Sequence, residues 1–126
     1  ATPGHTLDHV VFADQDHLFC GDTLFGCGCG KLFEGSYSQM HSSLKTLSKL
    51  PPSIKVYCAH EYTKKNIEFA LTQDKDNQYL IDRKRNLIGK DITLPSTLGE
   101  ELKTNPFLRS KDVSQFKELR QRKDNF

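Results

Sequence analysis

The chain has 126 residues, 36% of them hydrophobic and 27% charged, with a formal net charge of +2 at pH 7. That length fits one ordinary domain or two small ones, and the composition is that of a soluble globular protein. So slight a charge offers no argument for nucleic acid or a membrane as a partner, and no signal peptide, membrane-length apolar run or lipidation motif is legible.

A core is possible but not generous, so such a chain gains much from a metal, a partner or further sequence packed against it. Cys20, Cys27, Cys29 and Cys58 all fall in the first half and follow no disulfide pattern. They read as reduced thiols of a cytosolic protein. Cys27-Gly28-Cys29 is spaced too tightly for a zinc knuckle and has no second pair, so structural zinc is not expected there. Ala1-Thr2-Pro3-Gly4-His5, with no initiator methionine, reads as an interior segment of a longer protein.

In chain order, His9–Ala13 and His17–Cys20 are short β-type runs separated by Asp14-Gln15-Asp16, which predicts an antiparallel hairpin. Their near-continuous hydrophobicity predicts burial on both faces. Gly26, Gly28, Gly30 and Gly35 then predict a loop whose backbone approaches its neighbours closely. Ser36 and Gln39 have capping-box spacing, and Tyr37, Met40, Leu44, Leu47 and Leu50 recur at helical spacing until Pro51-Pro52. Ile54–Cys58 predicts a strand running straight into Ala59-His60-Glu61-Tyr62. Beyond Tyr62 the periodicity is helical, with Gly89 as a stop, a capping-box spacing from Thr97 to Glu100, and an extended Asn105–Arg109 before a basic helix. A division near Tyr62 follows: a mixed α/β part over 1–61 and a helical part over 62–126. Before any motif is considered, Arg83-Lys84-Arg85 and Arg120-Gln121-Arg122-Lys123 read as solvated helix faces, with an anion site as the alternative.

Hydrolysis at neutral pH needs a nucleophile better than water, and a divalent metal held by imidazole and carboxylate provides one. His5, Asp22 and His60 are such ligands, each ending a hydrophobic run in a Gly- or Ala-preceded turn. Singly, each reads as a hydrogen-bonded loop histidine or a turn cap; together they read as a metal centre. His9, His17 and His41 lack that context and read as ordinary surface or partly buried histidines.

These segments resemble the C-terminal portion of glyoxalase II, the hydroxyacylglutathione hydrolase family of the metallo-β-lactamase superfamily. The resemblance rests on Thr2-Pro3-Gly4-His5-Thr6, on Phe19–Phe25, on Gly28–Gly35, on Cys58–Thr63, on Asn105–Arg109 and on the basic ending. It implies an α/β fold, the second half of an αββα sandwich over 1–61 followed by a small all-α domain over 62–126. It further implies catalytic roles for Asp22, His5 and His60. His5 and His60 become ligands of two different metals, with Asp22 bridging them. The implied cofactor is a binuclear centre of zinc, with iron or manganese as alternatives. An activated water would attack the thioester of S-D-lactoylglutathione, releasing D-lactate and glutathione. Lys31, Tyr62, Arg120 and Lys123 correspond to residues that hold glutathione, whose carboxylates suit Arg and Lys. Phe33 stands where some members carry tyrosine, so only an apolar contact is expected of it. Cys29 is expected to serve packing, not catalysis, and Arg83-Lys84-Arg85 keeps its solvated reading. The implied setting is a cytoplasmic monomer that methylglyoxal detoxification would use, with no nucleic-acid or membrane partner.

One departure is large. The family's His-x-His-x-Asp-His motif, which carries most of the metal ligands, is absent from these residues. The 126 residues alone are therefore expected to have little or no thioesterase activity. Two competing readings remain at this stage: a persulfide dioxygenase-like enzyme with one iron, and a non-catalytic fragment that binds glutathione conjugates through its helical tail.

Overall fold

A computed structural model describes residues 1–126. Strands β1 (Phe12–Ala13) and β2 (His17–Gly21) pair antiparallel, with Phe12 opposite Phe19 and Ala13 opposite Leu18. Asp14 closes the turn as its chemistry predicts: its Oδ1 accepts the backbone N–H of Asp16 at 2.8 Å and of His17 at 2.7 Å. Burial on both faces is not what results. Side chains alternate along a strand, and within this chain only one face is covered: Leu18 and Cys20 are buried, while Phe12 and Phe19 are 71% and 51% exposed.

The glycine-rich segment is tighter than a loop. Strands β3 (Leu24–Phe25) and β4 (Gly28–Cys29) form a small hairpin, turning through Cys27 at φ 58°. Its glycines are explained by crowding. A Cβ on Gly26 would lie 2.1 Å from Thr63 Oγ1, and one on Gly28 would lie 2.5 Å from Asn66 Nδ2.

Helix α1 (Tyr37–Ser48) starts in the expected capping box, Ser36 accepting from the Gln39 N–H and the Gln39 side chain from that of Ser36. Strand β5 (Lys55–Cys58) follows, parallel to β2, so α1 is the crossover between them. The rest of the chain forms α2 (Thr63–Gln73), α3 (Gln78–Asn86), α4 (Leu98–Thr104) and α5 (Val113–Asp124). One two-residue strand interrupts the helices: β6 (Ser96–Thr97) pairs antiparallel with β5 and completes a sheet of order β1-β2-β5-β6. No helix is long and apolar enough to cross a membrane.

The core runs through both parts. Leu18 and Val56 from the sheet, Met40 and Leu44 from α1, and Phe69, Phe107 and Phe116 from the tail share one buried cluster. Each such side chain contributes about 1.5–3 kcal/mol on burial. Asn105–Arg109 is a turn, not the expected extended stretch, because the Asn105 side chain organises it. Its Oδ1 accepts the Phe107 N–H at 3.0 Å, and the Arg109 N–H donates to the Asn105 carbonyl at 3.2 Å. The solvated reading of Arg83 is also overturned. Arg83 is 4% exposed and its guanidinium meets the wholly buried Glu101 carboxylate at 2.7 Å.

Candidate metal centre and the cavity beside it

The pairing of β2 with β5 places the centre. In that parallel register Gly21 lies opposite Cys58, so Asp22 and His60 leave the same end of the sheet. The Ala59 N–H donates to the Gly21 carbonyl at 3.0 Å and holds the two exits together. His5 arrives from the segment before β1, where its Nδ1 lies 2.8 Å from the Lys31 carbonyl. A carbonyl only accepts, so Nδ1 carries the proton and the Nε2 lone pair is left free.

That lone pair faces Asp22. His5 Nε2 stands 3.7 Å from Asp22 Oδ2, and His60 Nε2 stands 3.3 Å from Asp22 Oδ1. Two ligand atoms on one tetrahedral zinc, each about 2.1 Å from it, lie roughly 3.4 Å apart. The donor types and both separations fit two ions sharing one carboxylate, each ion with a single imidazole. No three His, Cys, Asp or Glu side chains of the chain are grouped closely enough to hold an ion by themselves. The hydrogen bond behind His5 is the orienting contact that metal-bound imidazoles depend on.

Gly30 makes this packing possible. A Cβ there would lie 1.9 Å from the Asp22 carbonyl oxygen and 3.2 Å from His5 Nδ1. His9 has a larger part than its sequence context indicates. Its Nε2 accepts the Asp22 backbone N–H at 3.3 Å, so its Nδ1 is the protonated nitrogen and donates to Thr23 Oγ1 at 2.8 Å. Thr2 Oγ1 lies 3.1 Å from Thr23 Oγ1 and extends the network. The available signal was the spacing of His9, four residues after His5, with threonines at 2 and 23.

Next to the three ligands lies a cavity of about 480 Å³. Lys31, Phe33, Tyr62, Arg120 and Lys123 all line it, together with Phe25, Cys29, Lys65 and Asn66, which no motif had marked as ligand contacts. Tyr62 stacks on His60 with centroids 4.8 Å apart, and Phe33 meets His5 edge-on at 4.9 Å. These two rings join the metal corner to the cavity.

Arg120 is differently placed from the lysines. It is 3% exposed, its Nη1 donates to the Cys29 carbonyl at 2.8 Å, and its Nε and Nη2 meet Asp124 Oδ1 at 3.0 and 2.8 Å. Lys123 is partly buried; that burial, and then the Arg120 charge, lower its pKa from the ordinary lysine value. Burial pushes the Cys29 thiol up to about 11 against the opposing pull of Arg120. Burial likewise pushes Cys27 up to about 12. Neither supplies a thiolate near neutral pH, in line with a packing role for Cys29.

Residues 1–60 match the metallo-beta-lactamase superfamily, whose members work with metal ions. Two solved structures share the fold. The crystal structure of ETHE1 from Myxococcus xanthus aligns with TM-score 0.66 and 27% identity over 95% of this chain and 42% of that one. A metallo-beta-lactamase from Staphylococcus aureus subsp. aureus COL aligns at TM-score 0.62 and 23% identity, covering 91% of this chain and 31% of that one. Fold and superfamily match thus define a metallo-β-lactamase-type α/β protein with a helical C-terminal part.

Residues 61–126 match the family described as hydroxyacylglutathione hydrolase C-terminus. The hydroxyacylglutathione hydrolase of Thiobacillus denitrificans is 58% identical over 90% of this chain and 46% of its own length. That of Pelagibacter ubique is 49% identical over 98% of this chain and 54% of its own. The chain belongs to the hydroxyacylglutathione hydrolase family. It spans about half the length of the curated relatives it matches.

Proposed function

We propose that the protein containing these residues hydrolyses S-D-lactoylglutathione to D-lactate and glutathione, with the metal ligands on residues 1–61 and the substrate cavity lined from both 1–61 and 62–126. The observation that carries this reading is that Asp22 offers a different oxygen to each of two imidazoles, at the mouth of a cavity lined by lysines.

His5, Asp22 and His60, with ligands beyond these residues, would hold metal ions, which would supply water activation and charge stabilisation at the thioester oxygen. The residues of this chain orient that chemistry. Asp22 joins the two halves of the centre. His5, fixed through Lys31, presents Nε2 to it. Lys31 and Lys123 hold glutathione carboxylates through charge-assisted hydrogen bonds, Tyr62 closes over the site from the His60 side, and Phe33 gives the thioester an apolar contact. Arg120 belongs to the same subsite through the wall it holds. In the reaction the carbonyl carbon gains an oxygen from water, the carbon–sulfur bond breaks, and glutathione leaves as the thiolate. Zinc is the proposed metal, and a cytoplasmic monomer the proposed setting.

The 126 residues alone hold three of the ligands, so we propose that they turn over little substrate. Thiol release from S-D-lactoylglutathione, followed with and without zinc, tests both halves. A full-length relative is expected to be active and to lose activity when its residue matching Asp22 becomes Asn. The 126-residue chain is expected to be near background. Turnover by the chain near that of the full-length relative contradicts the reading, as does oxygen consumption by an iron-loaded full-length form. The match of the tail to the hydrolase family supports the hydrolase over the dioxygenase.

A further inference from the structure

Lys31, Lys65, Arg120 and Lys123 bring four cationic side chains to the cavity, against one carboxylate, Asp22, among its lining residues. Arg120 is the only one of the four with an acidic partner, Asp124 at 2.8 Å, and it is also tied to the Cys29 carbonyl. Its charge is thereby answered inside the fold. The three lysines have no such partner: no ion pair in the molecule involves them. Like charges gathered at a cavity oppose one another and favour an anionic occupant.

Lys65 is the member that no motif assigns. It sits in the first turn of α2, three residues after Tyr62, so the two lie on one face of the helix start. Its neighbour Lys64 lies on another side, lining a separate small cavity with Ile67, Lys84 and Ile88. Two adjacent lysines of the same exposed turn therefore face different spaces. That gives an internal control.

Resting on the reading of the cavity as a glutathione site, we infer that Lys65 is a substrate-binding residue that takes a carboxylate of a peptide thiol carrying two, with Arg120 holding the wall and Lys31 and Lys123 completing the charge. The chemistry recognised is a dianionic peptide, and a ligand with its carboxylates esterified loses the contact.

Calorimetric titration of glutathione into the 126-residue chain tests this with Lys65→Ala, Lys65→Arg, Lys64→Ala and Lys123→Ala. Expected is an affinity loss of about five-fold for Lys65→Ala, the upper end for one partly solvated ion pair, with Lys65→Arg near the unsubstituted chain and Lys64→Ala unchanged. With glutathione diester as the probe, Lys65→Ala and the unsubstituted chain bind equally. If Lys65→Ala binds glutathione as Lys64→Ala does while Lys123→Ala is weakened, the inference falls and the proposed function stands. If the unsubstituted chain does not bind glutathione, the inference falls, and the proposed function is decided by the turnover of the full-length relative.

Discussion

His5, Asp22 and His60 reach the candidate metal corner from three separate segments, Asp22 and His60 through the backbone pairing of β2 with β5 and His5 through its bond to the Lys31 carbonyl, and their side chains stay 19%, 31% and 49% exposed. The wall of the neighbouring cavity is held by buried side chains instead. Glu101, with no exposed surface, receives the Cys27 N–H at 2.8 Å, the Ser96 hydroxyl at 2.6 Å and Arg83 at 2.7 Å. Asn105 Nδ2 reaches the Phe25 and Gly28 carbonyls at 3.2 and 3.0 Å, fastening the tail to the β3–β4 hairpin. The three side chains of the corner thus hold nothing in the core, whereas the wall stabilises the fold and shapes a cavity. Substitutions in the two regions should separate stability from ligand binding.

The sharpest break is expected at Glu101→Gln. Burial alone would lower the Arg83 pKa, yet the Glu101 charge and hydrogen bond, with Cys27 and Glu100 adding to them, together raise it. Removing that charge leaves the buried guanidinium with only the more exposed Glu100 carboxylate, at 3.5 Å, a loss of about 3 kcal/mol by urea unfolding. Gly30→Ala comes next. The new Cβ is too close to the Asp22 carbonyl for the backbone to stay in place, so a loss of about 1–3 kcal/mol is expected, together with loss of the His5–Lys31 contact in the NMR spectrum.

His9→Ala removes two hydrogen bonds behind Asp22 and should lower stability by about 1–2 kcal/mol, with faster amide exchange at Asp22. Asp22→Asn should move stability by no more than about 0.5 kcal/mol, since it holds nothing in the core. A loss there as large as that of Glu101→Gln would erase the distinction between the two regions.

The smallest effect is a pH dependence. Lys123 has its pKa lowered from 10.5 by burial, and then by Arg120. Between that lowered value and 10.5 the unfolded chain binds more protons than the folded one, so stability rises with pH across this window. Binding of a carboxylate moves the other way, because it needs the ammonium and is lost as pH rises through the lowered pKa. Lys123→Arg should remove that limb from the affinity profile of an S-alkyl glutathione, measured against the same probe for the unsubstituted chain.

Much of this was legible in the residues. Asp14 marked its turn and Ser36 with Gln39 marked the start of α1, because these side chains bond to backbone within a few positions. His5, Asp22 and His60 could be read as residues ending hydrophobic runs, and the structure brings both imidazoles to the Asp22 carboxylate. What escaped depended on contacts distant in sequence. Arg83 read as solvated because its partner Glu101 lies 18 residues away. His9 read as ordinary because its value lies in a bond to Asp22, 13 residues on. Lys65 carried no signal, since only the packing of α2 against the β3–β4 hairpin distinguishes it from Lys64. The uncovered face bearing Phe12 and Phe19 could not be foreseen from hydrophobicity alone, which says that a strand prefers burial and not what buries it.

The cavity proposed for glutathione is assembled by this chain's own buried network, independently of any metal in the neighbouring corner. Titrating glutathione into the 126-residue chain with a zinc chelator present tests it most directly. Saturable one-site binding, with an affinity unchanged by adding zinc in place of the chelator, is the predicted result. Binding that appears only with zinc, or not at all, would contradict it.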